Sequence, residues 1–76
     1  MTSLSISEKI GIKINILRKR LKISQEKLDE LANLSSNSVS AIEHGESNPT
    51  TETLDRIAKA LNIELKELVD VSKIDL

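Results

Sequence analysis

Residues 23–49, ISQEKLDELANLSSNSVSAIEHGESNP, constrain the fold of this chain more than any other stretch. Ser24 offers a side-chain oxygen ahead of Gln25-Glu26, and an acid in the first turn suits a helix start. Leu28 and Leu31 follow at helical spacing, and Asn33 marks a break. Ser35 caps a second segment, Val39 and Ile42 anchor it, and Gly45 ends it. Two short helices joined by a turn of a few residues make a helix-turn-helix.

The rest of the chain supplies helices on either side. Ser5 and Glu8 have the spacing of a capping box. Ile6, Ile10, Ile14, Leu17 and Leu21 then recur in steps of four, four, three and four, which is one helical face. The spacing predicts a second helix over 25–32 and a third over 36–43. The run from Glu46 to Pro49 has loop composition, and the single proline falls there without harming a helix. Thr50 or Thr51 caps a fourth helix with the stripe Leu54, Ile57, Ala58 and Leu61. Asn62 is a left-handed stop, and a fifth helix over 64–69 supplies Leu65 and Leu68. No alternating strand pattern or repeat is present. The expected class is therefore all-α, with five helices in a single domain over 1–76 and a short tail at 70–76.

A chain of 76 residues without Cys, Phe, Tyr or Trp must build an aliphatic core. The expected core is Ile10, Ile14, Leu17, Leu28, Leu31, Val39, Ile42, Leu54, Ile57, Leu61, Ile63 and Leu68. Ile12 and Ile16 point roughly opposite Ile10 and Ile14. Two readings fit them. The tail, with Val71, Ile74 and Leu76, folds over them, or they form a subunit contact together with Val69 and Ile74.

Missing cysteine removes disulfides and thiolate metal sites and fits a reducing compartment. The start, Met-Thr-Ser-Leu-Ser, lacks a signal-peptide core, and no apolar run approaches the ~20 residues of a membrane span. A cytoplasmic protein without membrane association is the expectation. Net charge is −1, which counts against a general, charge-driven nucleic-acid binder. Yet residues 1–44 carry seven bases against five acids, and residues 45–76 carry four against seven. The half with the helix-turn-helix is thus the basic one, although solvated helix faces would look the same. Carboxylates such as Glu26/Glu30 and Glu64/Glu67 sit at helical spacing for solubility. No nucleophile–base pair, phosphate-cradling loop, cofactor motif or metal-ligand spacing is present, so an enzyme is not expected.

The segment resembles the phage-repressor/Cro, or XRE-like, helix-turn-helix family, with a lambda-repressor-like five-helix domain. The matching residues run over 10–68: Ile10-Gly11, Leu17-Arg18, Ser24-Gln25-Glu26, Leu28, Ala32, Val39-Ser40, Ile42-Glu43, Gly45 and Asn48-Pro49, then Leu54, Ile57 to Leu61 and Glu67-Leu68. The family often has glycine where Lys22 and Asn33 stand. A left-handed Lys22 would cost ~1–2 kcal/mol.

The resemblance implies that helix three enters the major groove of double-stranded DNA. Ser36, Asn37, Ser38 and Ala41 would then meet base edges. An Asn amide suits adenine, the Ala methyl a thymine methyl, and serines several groups. No Arg or Lys lies on that helix, so directly read bases lean toward A·T or DNA shape contributes. Ser36 and Ser38 as mere caps is the alternative. Phosphate contacts would come from Gln25 and the N–H groups around it, Ser24, Ser40, His44, Asn48, Lys19 and Arg20. For Arg18 the choice lies between a phosphate contact and an ion pair with Glu43, the pair found in family members, and the structural role is favoured. His44, without a second ligand nearby, is a poor metal candidate.

These residues imply a sequence-specific transcriptional regulator acting as a homodimer on an inverted repeat. Restriction–modification controllers, small phage or plasmid repressors, and antitoxins that bind a toxin partner share this form. A protein-interaction module that keeps the fold without reading DNA is the alternative.

Overall fold

The structure is a computed structural model that describes residues 4–74. Leu76, which the sequence places in the covering tail, lies outside them. Among the described residues five helices follow one another: α1 (Ile6–Arg20), α2 (Gln25–Leu31), α3 (Ser38–Glu43), α4 (Thr51–Ala60) and α5 (Leu65–Val69). No strand occurs among the described residues.

Three helix starts use the residue just before the helix. Ser5 and Glu8 form a reciprocal capping box, Ser5 Oγ accepting from Glu8 N at 3.1 Å and Glu8 Oε1 from Ser5 N at 2.9 Å. Ser24 Oγ accepts from Lys27 N at 2.9 Å, and Thr50 Oγ1 accepts from Thr53 N at 3.1 Å.

Four helix ends use one device. Lys22, Asn33, Gly45 and Asn62 follow α1 to α4 with φ of 59°, 56°, 73° and 63°. In each, the next residue's N–H reaches back to a carbonyl five residues earlier: Ile23 to Arg18, Leu34 to Asp29, Glu46 to Ala41 and Ile63 to Ala58. Ile23, Leu34 and Ile63 thereby turn in against the core. Lys22 carries the strain that only its position in this turn explains.

α3 packs against α1 and α2, α4 against α2 and α5, and α5 also against α1. Between them Ile14, Leu28, Val39, Ile57, Ala58 and Leu68 are wholly buried. Leu17 and Ile63 are only partly buried against this core, and Ala32 and Ala58 join it. Leu31, expected in the core, is 50% exposed. It ends a helix of only 7 residues whose buried residues are Leu28 and Asp29, and the next residue, Ala32, takes the core position. Arg18 and Asp29 are buried despite their charge.

The first turn expected for helix three is absent: α3 starts at Ser38, not Ser36. Asn37 precedes it with φ 67° and makes no side-chain cap bond. Ser35 Oγ lies 3.1 Å from Ser38 Oγ but caps no backbone N–H. α2 likewise stops at Leu31 and α5 begins at Leu65, each one residue inside its expected limit.

On the other side, Ile16 and Val69 are exposed, while Ile12 and Ile74 are half-buried. Val71 packs on the core, and Lys13 Nζ donates to the Asp70 carbonyl at 2.9 Å, tying the start of the tail to α1. No helix is long and apolar enough to cross a membrane among the described residues.

Candidate nucleic-acid interface

α3 has only 6 residues, too short to persist alone. Its underside, Val39 and Ile42, is buried in the core. Polar contacts hold its two ends. At the start, Asp29 of α2 receives Asn37 N at 3.1 Å and Val39 N at 2.8 Å. At the end, Glu43 collects donors from two other helices. Its Oε2 accepts from Arg18 Nε at 2.7 Å, and its Oε1 from Asn15 Nδ2 at 2.9 Å, Arg18 Nη2 at 3.1 Å and Gln25 Nε2 at 2.9 Å. Arg18 Nη1 donates to the Ile23 carbonyl at 2.8 Å, so the guanidinium spans α1, α3 and the turn after α1.

Burial alone would push the Glu43 carboxyl up, but the bonds from Arg18, Asn15 and Gln25 and the Arg18 charge outweigh it and hold its pKa below the ordinary range. The Glu43 hydrogen bond in turn raises the Arg18 pKa against the opposing effect of burial. The two side chains are 10% and 4% exposed, so Arg18 is committed to structure rather than presented to a ligand.

The remaining surface of α3 and its approach is small and polar. Ser36 and Asn37 are exposed, and Ser38, Ser40 and Ala41 are half-buried. Ser36 and Asn37 belong to the turn before the helix, with Ser38 and Ala41 on it. Two grooves flank this edge. One is lined by Ser36, Asn37, Ser38 and Ala41 together with Asn48, Thr50, Thr53 and Arg56. The other is lined by Gln25, Glu26, Asp29, Glu30, Ser36, Asn37 and Ser40. The four candidate base-reading residues thus share one groove with Asn48, and Gln25 and Ser40 line the other groove.

The other candidate phosphate contacts lie outside both grooves. Ser24 is exposed, with its hydroxyl already capping α2. His44 folds back, Nδ1 lying 2.7 Å from the Ser40 carbonyl, which leaves Nε2 for another partner. Lys19 and Arg20 are exposed on the last turn of α1, in no ion pair among the described residues. Two grooved candidates are partly engaged. Asn48 Oδ1 accepts from Ser7 Oγ at 2.6 Å. Gln25 spends one amide hydrogen on Glu43, and its second hydrogen and its oxygen remain.

Sequence reasoning missed Asp29, Asn15 and Arg56. Asp29 stands four residues after Gln25, on the same helical face, which was the available signal. Asn15 gave none beyond its place one turn before Arg18. Arg56, on α4, brings to the groove a cation that α3 lacks, with Glu52 4.0 Å away.

A family model described as helix-turn-helix matches residues 14–68. The immunity repressor protein of Bacillus phage phi105 is 38% identical over 60 residues, which is 79% of this chain and 42% of that protein; the chain thus spans less than half the repressor's length. The solved structure of the restriction-modification controller protein C.AhdI from Aeromonas hydrophila is 34% identical, with a TM-score of 0.79, covering 82% of this chain and 94% of that one. The clp gene regulator ClgR from C. glutamicum, at 18% identity, shares the fold with a TM-score of 0.88 over 97% of this chain and 95% of its own.

Proposed function

This chain belongs to the helix-turn-helix family of transcription regulators, and from that premise we propose that it is a sequence-specific regulator that reads an inverted repeat as a homodimer. α3 enters the major groove, and Ser36, Asn37, Ser38 and Ala41 meet base edges. The observation that carries this reading is the edge itself: small side chains, exposed or half-buried, on a short helix and the turn before it, with the helix held at both ends. Ser24, Gln25, Ser40, His44 and Asn48 bind phosphates on the flanks, with Lys19 and Arg20 adding general attraction. Ile12, Ile16, Val69 and Ile74 supply the subunit contact. The likeness to an immunity repressor and a restriction–modification controller supports a regulator that acts by occupying a promoter.

The test is selection from a random duplex pool, followed by titration at several salt concentrations. Expected is a palindrome with half-sites about 10 base pairs apart and binding that weakens steeply with salt. Asn37→Ala relaxes base preference at one step of each half-site, whereas Lys19→Ala weakens all sequences alike. Absence of binding at low salt would overturn the reading. That result would favour a protein-binding module, for which the acidic wall formed by Glu26 and Glu30 beside Asn37 is the supporting observation.

A further inference from the structure

The start of α3 is capped from a different helix, and this has a consequence for how Asn37 is presented. A helix start needs acceptors for its first N–H groups. The residue before the helix ordinarily supplies one from an extended backbone, as Ser5, Ser24 and Thr50 do here. Asn37 is left-handed instead, at φ 67°, and its side chain makes no cap bond. The buried carboxylate of Asp29 takes over, receiving the N–H of Asn37 and that of Val39. The Asn37 amide is thereby released from local bonding at an exposed position.

The same short helix also holds the other end of α3. Gln25, one turn before Asp29, donates to Glu43, the last residue of α3. Leu28 lies between them, buried in the same core as Val39 and Ile42. α2 therefore fastens α3 at both termini.

We propose that Asp29 is a positioning residue for base readout: it touches no DNA, but it sets the place and orientation of Asn37 and leaves that side chain free to read. This rests on the DNA-reading function proposed above. Loss of the carboxylate would let the left-handed turn relax and the Asn37 amide fold back onto the open helix start. Readout would suffer before phosphate binding does, because the phosphate contacts sit on other residues.

The experiment uses the full chain and the duplex it selects. Asp29→Asn keeps the shape and one acceptor for Val39 N, but sets an amide donor against Asn37 N–H. Circular dichroism and the ratio of affinities for selected and scrambled duplexes are measured for wild type, Asp29→Asn, Asn37→Ala and the double variant. Asp29→Asn is expected to keep its helix content and to bind scrambled duplex within about twofold of wild type, since phosphate contacts carry no sequence information. Its selectivity ratio should fall about tenfold, the scale of one side chain–base pair. In the Asn37→Ala background the same substitution should lower selectivity no further, because the two changes remove one interaction. A merely structural role would instead give additive losses.

Wild-type selectivity in Asp29→Asn, additive losses, or loss of helix content in Asp29→Asn would each overturn the positioning role. These outcomes leave the DNA-reading function standing if wild type still selects a duplex. If wild type selects none, both proposals fall.

Discussion

Replacing Gly11 with alanine tests how closely α1 and α3 must approach. Gly11 lies inside a 15-residue helix, where alanine is intrinsically better by about 1 kcal/mol. On helix propensity alone the variant would be more stable. The packing argues the opposite. A Cβ at position 11 would overlap the Ile42 carbonyl oxygen and stand 3.2 Å from both the Cα and the carbonyl oxygen of Glu43. All three are backbone atoms, so no rotamer change relieves the clash and the two helices must separate. Overpacking of this kind costs about 1–3 kcal/mol. Separation also stretches the bonds from Asn15 and Arg18 to Glu43, each worth about 1.5–3 kcal/mol when one partner is charged. Partial loss of these against the propensity gain leaves a net destabilisation of about 1–3 kcal/mol. For a domain of this size that lowers Tm by about 5–20 °C. Thermal and urea unfolding followed by far-UV circular dichroism measure it. A Gly11→Ala variant as stable as wild type, or more so, would refute the packing argument and leave propensity in control.

Three further outcomes are expected. Because the Glu43 carboxyl has a lowered pKa in the fold, its contribution is complete above the ordinary value of 4.5 and is lost as pH falls below it toward the folded pKa. Urea midpoints from pH 7 to pH 3 should show that loss, and Glu43→Gln should flatten it while destabilising the protein at pH 7 by about 3 kcal/mol, since Arg18 is left buried without its charge partner. Lys22→Gly should raise stability by about 0.5–1 kcal/mol, because relief of the left-handed strain at φ 59° exceeds the extra entropy of glycine in the unfolded chain; an unchanged or lower urea midpoint would contradict this. Leu28→Ala should cost about 2–5 kcal/mol and Leu31→Ala under about 1, since the first is wholly buried and the second half exposed; equal losses would place Leu31 in the core after all.

Helix existence was legible where the signal is local. The Ser5–Glu8 box, the Ser24 and Thr50 caps, the stops at Asn33, Gly45 and Asn62 and the stripe of α4 each depend on residues within about one or two turns of one another. The family resemblance named four candidate reading residues by type, and the structure brings all four to one groove. The start of α3 was not legible, because Ser35 and Ser36 look like ordinary caps and the acceptor that decides the matter sits on another helix. Leu31 was misplaced for a similar reason: periodicity marks a face, but a helix of 7 residues has room for only part of that face in the core.

By itself, then, the sequence determined an all-helical chain with a helix-turn-helix, an aliphatic core and a third helix without cations. Only the tertiary structure decided how that helix is held. Asp29 meets Val39 across 10 residues, Gln25 meets Glu43 across 18, and Asn15 meets Glu43 across 28. Such pairings depend on where α1, α2 and α3 cross, and that follows from how buried side chains interlock rather than from any spacing along the chain. A carboxylate that looks like a surface charge in the sequence thereby becomes the cap of the helix beside it.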